Sequence, residues 1–271
     1  MTTDAINYNG HRIVNGILQL DNLRWTGDLD LSFCTSLTML PEGLRVRGSL
    51  NLEFCTALTS LPEGLTVDGD LNLRGCTALT DLPTGLTVDG LLDLNHCTAL
   101  IALPDGLRVG GALELRGCTA LTSLPKRLHA DGNLTLIRCT ALTTLPDGLR
   151  VRGALFIEGC NALAALPKGL RVSSHLFLRE PTTIAALPDD IDVGLRIDLE
   201  SLFIDVIPQS GETCIVVRDC GIPATVRTLA IGRRLGELID HWVLNWKGIG
   251  EKIITNIRDA NPGEVEFYLD S

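Results

Sequence analysis

Hydrophobic and polar positions recur in this chain with a fixed period of 21 residues. Sliding the sequence against itself by this distance superimposes seven cysteines and eight prolines. The cysteines are Cys34, Cys55, Cys76, Cys97, Cys118, Cys139 and Cys160, and the prolines are Pro41, Pro62, Pro83, Pro104, Pro125, Pro146, Pro167 and Pro188. A period of this length is typical of a solenoid, in which each repeat forms one coil.

The unit GDLNLRGCTALTDLPTGLTVD, residues 69–89, predicts the elements of one coil. Leu71 and Leu73 alternate with polar residues, which predicts a short strand with one buried face. The proline of the unit excludes a helix interior and suits an extended segment. Leu86 and Val88 then alternate again, so we expect a second extended segment before the turn into the next coil.

Eight copies of this unit, numbered here as coils one to eight, cover residues 27–194. They begin at Gly27, Gly48, Gly69, Gly90, Gly111, Gly132, Gly153 and Ser174. Burying the seven apolar side chains of one coil contributes about 14 kcal/mol, whereas ordering its residues costs roughly 30 kcal/mol. A coil therefore folds only when it is stacked on its neighbours, and we predict a mainly β solenoid.

Both ends of a solenoid need caps that cover its apolar cross-section. We predict an N-terminal cap at residues 1–26 and a degenerate repeat followed by a helical C-terminal cap at residues 195–271. In the latter, TCIVVRDC and VEFYL are predicted strands. Helical spacing predicts one helix through Leu235, Leu238, Ile239, Trp242, Val243 and Trp246 and a second through Ile249, Ile253 and Ile257.

The segment LNLRGCTAL, with Cys76 at the position usually held by Asn or Cys, resembles the core of a leucine-rich repeat. The short unit and its Leu82-Pro83 step resemble the bacterial IpaH, SspH and YopM-like effectors. This resemblance implies an arc of repeats that binds host proteins after injection into a host cell. The chain departs from that pattern, because it has a single Leu-Pro step, a Cys ladder, and Leu65 and Val67 before the next glycine. A flatter β-solenoid with two strands per coil is the alternative to a horseshoe.

Composition and charge exclude several classes of protein. Of the 271 residues, 45% are hydrophobic, and the net charge is -10. The hydrophobic content excludes a disordered chain, and the negative charge argues against nucleic acid as a partner. We expect no membrane insertion, because no run of 18 apolar residues occurs. Residues 1–16 lack a Sec-type signal pattern, so we expect the bacterial cytoplasm or export into a host cell by a non-Sec route.

The cysteine ladder is the most prominent chemical feature of the sequence. A cysteine once per coil is best explained as a small buried side chain, so we predict that all seven are reduced and structural. The absence of a CxxC pair argues against zinc, because a ladder places its ligands in a line. We expect neither a metal nor a cofactor.

A catalytic alternative places a nucleophile at Cys220 and a base at His241, presented by the solenoid. IpaH-like ligases carry a Cys-x-Asp motif after the repeats, and neither Cys214 nor Cys220 matches it. We therefore expect a protein that is not an enzyme, and this alternative ranks second.

Strand geometry places the residues between and after the buried leucines on the outer face. In coils one to five these positions are mostly polar, whereas from coil six onward they become apolar and aromatic. We predict a protein-binding surface made by Thr135, Ile137, Phe156, Glu158, Phe177 and Arg179. The alternative is that the chain's own C-terminal segment covers these aromatic residues. The predicted function is that of a protein-binding module, either an effector or a bacterial scaffold.

Overall fold

Each coil contributes one short strand to each of two parallel sheets. This arrangement comes from a computed structural model. It describes residues 4–6, 11–179, 184, 191–194, 196–199, 202–209, 212–219, 252–254 and 267–268. The predicted β-solenoid of 21-residue coils is confirmed, and it has the two strands per coil of the flatter alternative.

One sheet, called the Val sheet, is formed by the segment after the Leu-Pro step. Its nine parallel strands are β4 (Arg24–Trp25), β6 (Arg45–Val46), β8 (Thr66–Val67), β10 (Thr87–Val88), β12 (Arg108–Val109), β14 (His129–Ala130), β16 (Arg150–Val151), β18 (Arg171–Val172) and β20 (Asp192–Val193). In each strand from β6 onward the second residue is buried and the first is half-buried or exposed.

The other sheet, called the Leu sheet, is formed by the segment before the cysteine. Its parallel strands are β5 (Leu29–Asp30), β7 (Leu50–Asn51), β9 (Leu71–Asn72), β11 (Leu92–Asp93), β13 (Leu113–Glu114), β15 (Leu134–Ile137), β17 (Leu155–Glu158), β19 (His175–Arg179) and β21 (Arg196–Leu199). Equivalent residues of successive coils pair in register, as Leu71 does with Leu92. The 21-residue period therefore becomes a set of straight side-chain columns.

The core lies between the two sheets as one continuous cluster. In a central coil Leu71, Leu73, Cys76 and Leu79 are all 0% exposed. The column after the Leu-Pro step is also buried, with Leu86 at 2%. Every apolar position that the repeat predicts to face inward in this coil is thus in the core.

The strands of the Leu sheet have two residues in coils one to five and four or five in coils six to eight. In coils one to four the residue after the first buried leucine explains the early end, and in coil five the Arg116 N–H donates instead to Oδ1 of Asn95 in coil four, at 2.7 Å. The Oδ1 atoms of Asp30, Asn51, Asn72 and Asp93 each accept a hydrogen bond from the backbone N–H two residues later, at 2.8–3.1 Å. Such a side-chain turn competes with the sheet for the backbone donor. Thr135, Phe156 and Phe177 occupy this position in coils six to eight, and there the strand continues.

An antiparallel meander precedes the coils. It comprises β1 (Asp4–Ile6), β2 (Arg12–Val14) and β3 (Ile17–Gln19). Ile13 and Leu18 are each 2% exposed and belong to the core cluster. The Thr38 hydroxyl donates to the Gly16 carbonyl at 3.0 Å, which joins the meander to coil one.

After β21 the Leu sheet continues with antiparallel strands: β22 (Leu202–Gln209), β23 (Glu212–Asp219), β24 (Lys252–Ile254) and β25 (Phe267–Tyr268). β23 overlaps the predicted strand TCIVVRDC, beginning one residue earlier, and β25 falls within the predicted strand VEFYL. The second predicted helix is wrong at Lys252–Ile254, which pairs with β23. Two successive β-branched isoleucines favour a strand where a sheet edge is available. The first predicted helix lies outside the described residues, and within those residues no helix occurs.

Candidate binding face

The six residues predicted as a binding surface come together on the outer side of the Leu sheet. Thr135, Phe156 and Phe177 are in register on β15, β17 and β19, and Glu158 is in register with Ile137 and with Arg179. We call these six residues, together with His175, the aromatic patch.

Phe156 and Phe177 form a face-to-face stack. Their ring centroids lie 4.5 Å apart with an angle of 3° between the planes, close to the spacing of about 4.8 Å between neighbouring strands. Both side chains are half-buried. Parallel in-register pairing thus turns two phenylalanines 21 residues apart into one flat apolar surface.

His175 extends this stack and was missed in the sequence. Its ring lies 5.7 Å from that of Phe177 at an angle of 22°, and its Nδ1 lies 2.7 Å from the Ser174 hydroxyl. In the other coils the same position holds Asp, Ser, Leu, Ala or Asn. The sequence signal for His175 was the change to an aromatic side chain in a column that has none in the other coils.

The expected exposure of Thr135 and Ile137 is wrong, because each is only 7% exposed. Both are shorter than the side chains beside them in their columns, Glu114 and Phe156 for Thr135 and Arg116 and Glu158 for Ile137. Glu158 is half-buried, and the side chain of Arg179 lies outside the described residues. The accessible apolar part of the patch is therefore the stack of rings, and the binding role of the six residues remains a prediction.

A second stacked pair, Phe33 and Phe54, lies at the turn before the cysteine in coils one and two. The ring centroids are 5.3 Å apart, and the side chains are 59% and 38% exposed. Both residues have left-handed backbones, with φ of 59° and 56°, where coils three, five and seven have glycine. Phenylalanine is uncommon in this conformation. The sequence signal for this pair was the replacement of glycine in that column.

The cysteine ladder is buried as predicted, and none of its members forms a disulfide. From Cys55 onward each thiol donates to a leucine carbonyl of the preceding coil. The Cys97 Sγ, for example, lies 3.1 Å from the carbonyl oxygen of Leu73. That oxygen also accepts from the Cys76 N–H at 3.1 Å. The thiols therefore link neighbouring coils by donating hydrogen bonds to backbone carbonyl oxygens. A small, weak donor can fill this structural role.

Burial suppresses ionisation of these thiols. It raises the pKa of Cys76 and of Cys118 to about 12 and raises the pKa of Cys55 and Cys97 further. The adjacent Cys160 thiol, together with burial, raises the pKa of Cys139. The Cys139 thiol in turn lowers the pKa of Cys160 against the effect of burial. Since thiolates are the reactive form, the ladder members whose pKa is raised are suited to packing rather than to nucleophilic chemistry.

Other chemistry finds little support in the described part of the chain. No group of three or more His, Cys, Asp or Glu residues there has an arrangement that could hold a metal ion. That part also contains no helix with the length and apolarity required to span a bilayer. Cys220 and His241, the candidates for catalysis, lie outside the described residues.

Comparison with protein-family models, with curated proteins and with solved structures finds no match to this chain. The structure itself shows a repeat solenoid with leucine-rich strands, consistent with a protein of the leucine-rich-repeat type.

Proposed function

We propose that this chain is a protein-binding leucine-rich-repeat module that contacts its partner through the aromatic patch. The observation that carries this assignment is the half-buried stack of Phe156 and Phe177, with His175 beside it. Aromatic side chains in a partly apolar setting with a charged rim are the usual composition of a binding hot spot.

The backbone under the patch favours a protein partner. Strands β15, β17 and β19 have four, four and five residues, and they are paired in register along their length. The rings consequently stand on an ordered platform and lose little conformational freedom on binding. A flat, pre-ordered stack suits a protein surface, whereas a small ligand is normally held in a concave site.

We further propose that the module acts as a bacterial effector or scaffold and has no catalytic activity. The effector role rests on the resemblance of LNLRGCTAL and of the Leu82-Pro83 step to the IpaH, SspH and YopM-like repeats. It implies delivery into a host cell by a non-Sec route, whereas a scaffold would stay in the bacterial cytoplasm.

Photo-crosslinking from the patch identifies the partner. A benzophenone amino acid is placed at position 177, and the same label at position 54 serves as the control in bacterial and host-cell lysates. The dissociation constant of the captured protein is then measured for the wild type and for Phe156→Ser/Phe177→Ser. Phe33→Ser/Phe54→Ser is the matched control, since it removes the other stacked pair.

We expect the patch variant to weaken binding by about thirtyfold or more and the control variant to keep the wild-type affinity. Unchanged affinity of the patch variant would contradict the assignment. A collapse of stability in that variant alone, with no protein captured from position 177, would show that the chain itself covers the rings.

A further inference from the structure

A basic groove crosses the outer side of the Val sheet in coils four to eight. Its volume is about 770 Å³, and its lining includes six Lys or Arg residues and two Asp residues. The groove is thus positive by four charges in a chain whose net charge is -10. It lies on a different sheet from the aromatic patch.

The centre of the groove is a column of three arginines and one histidine on adjacent strands. Arg108 on β12 is in register with His129 on β14, and Arg150 on β16 is in register with Arg171 on β18. All four residues are exposed. Like charges on directly paired strands repel one another, so the pairing of Arg150 with Arg171 is repulsive.

The fold does not require these charges. The same outward position holds Thr66 in coil two and Thr87 in coil three, and the valine that follows is buried in both cases. Arg24 and Arg45 are paired in the same way outside the groove, so the convergence of six Lys or Arg residues in one groove, rather than the pairing alone, points to a role in binding an anion.

Two carboxylates already occupy part of the groove. Asp131 Oδ1 lies 3.3 Å from Nη1 of Arg152, and Asp192 Oδ2 lies 4.0 Å from Nη1 of Arg171. Among the described residues, Arg108, Lys126, Arg127 and Arg150 have no carboxylate within ion-pair distance. The groove thus binds carboxylates and retains cations that can bind more of them.

Coil five departs from the repeat at the groove. Lys126 and Arg127 stand where coils four and six have Asp-Gly, and the glycines of those coils, Gly106 and Gly148, have left-handed backbones. In addition, β14 and β16 pair through a single residue pair, whereas the other neighbouring strands of the Val sheet pair through two. The irregular coil therefore brings two extra cations to the groove.

We propose that this groove binds a short acidic peptide segment of a partner protein. From Arg108 to Arg171 the column spans three strand spacings, about 14 Å. An extended peptide covers this distance with four or five residues at about 3.3 Å each. Carboxylates of such a segment pair with the guanidinium groups of Arg108 and Arg150, as the two aspartates pair with Arg152 and Arg171.

Nucleic acid fits this groove less well than an acidic peptide. The described lining contains no Phe, Tyr or Trp on which bases would stack. A long polyanion would also extend beyond the groove and be repelled by a chain of charge -10. A short acidic segment places its charges within the groove alone.

Fluorescence anisotropy with labelled hexaglutamate at low ionic strength tests the assignment. The test variant is Arg108→Glu/Arg150→Glu, and Arg108→Ser/Arg150→Ser removes the charges without reversing them. The matched control is Arg45→Glu/Arg47→Glu, because Arg45 occupies the same column in coil one. Circular dichroism verifies that each variant is folded.

We expect hexaglutamate to bind the wild type and the control alike, with at least a tenfold loss in both groove variants and a weakening with added salt. Equal loss in the control, or no binding to the wild type, would overturn the assignment. If an oligothymidylate of equal charge binds more tightly than hexaglutamate, the assignment to an acidic peptide is wrong and the groove binds single-stranded nucleic acid. Because none of these variants alters the aromatic patch, failure here leaves the proposed module function intact.

Discussion

Coils two and three share their core with coils six and seven but differ from them at the surface. On the Leu sheet, Asn51 and Asn72 occupy the column in which Phe156 lies. On the Val sheet, Thr66 and Thr87 occupy the column in which Arg150 and Arg171 lie. The core thus repeats because stacking requires it, whereas both candidate binding surfaces arise from outward positions, whose side chains vary between coils.

The largest effect that we predict is a loss of stability of the shared core at alkaline pH. Four of the buried thiols, Cys55, Cys76, Cys97 and Cys118, have a folded-state pKa above the usual value of 9.0. The unfolded chain therefore loses its protons first as the pH rises, and stability present below pH 9 is lost between about pH 9 and pH 12. From pH 8 to pH 10 each such thiol lowers the free energy of unfolding by about 1.3 kcal/mol.

Urea denaturation at the two pH values measures this effect. Cys55, Cys76, Cys97 and Cys118 together should reduce stability by roughly 5 kcal/mol. The variant Cys97→Ala should lose about 1.3 kcal/mol less over the same interval. If the variant and the wild type lose the same free energy of unfolding between the two pH values, the ladder thiols are not buried as described.

The equivalence of the two cores can be tested with one substitution made in each region. Leu73→Ala in coil three and Leu136→Ala in coil six both remove a side chain that is 0% exposed. Each should cost about 3 kcal/mol through lost burial and the cavity left behind. Chemical denaturation gives both values, and a difference of more than about 2 kcal/mol would contradict the claim that the cores are equivalent.

The difference in strand length predicts a smaller effect. Asn72→Ala removes the acceptor of the Arg74 N–H, which lies 3.0 Å from Asn72 Oδ1, and should cost about 1 kcal/mol. Hydrogen exchange of the Arg74 amide should accelerate. Thr135→Ala is the control, since in coil six the strand continues through Ile137, and exchange of the Ile137 amide should not change. Faster exchange at both positions would show that local side chains do not set the strand ends.

Periodicity predicted the solenoid because a buried column must hold a similar side chain in every coil. Leu71, Leu73, Cys76 and Val88 could therefore be assigned to the core from sequence alone. Outward residues have no such constraint, and their exposure depends on neighbours one coil away, which is why Ile137 was expected to be exposed. The basic groove was missed for the same reason, because its charges converge only when Arg108, His129 and Arg150 lie on adjacent strands.

The smallest effect that we predict concerns the left-handed turn before the cysteine, where coils two and six have a non-glycine residue and coils three and seven have glycine. Arg138 has φ of 57° in coil six, and the equivalent residues Gly117 and Gly159 have φ of 72° and 64°. A non-glycine residue in this conformation costs about 1–2 kcal/mol, whereas glycine loses about 0.5–1 kcal/mol more entropy on folding. Glycine can also keep the backbone bond that Arg138 N–H donates to the Glu158 carbonyl, since Gly117 N–H donates in the same way to Ile137. Arg138→Gly should therefore stabilise the protein by about 0.5–1 kcal/mol.

Arg116→Gly, one residue before the turn of coil five, should destabilise it by about the same amount, because no left-handed backbone is relieved there. Thermal denaturation of the two variants separates these effects, and a lower midpoint for Arg138→Gly than for the wild type would show that Arg138 makes contacts that outweigh its strained backbone.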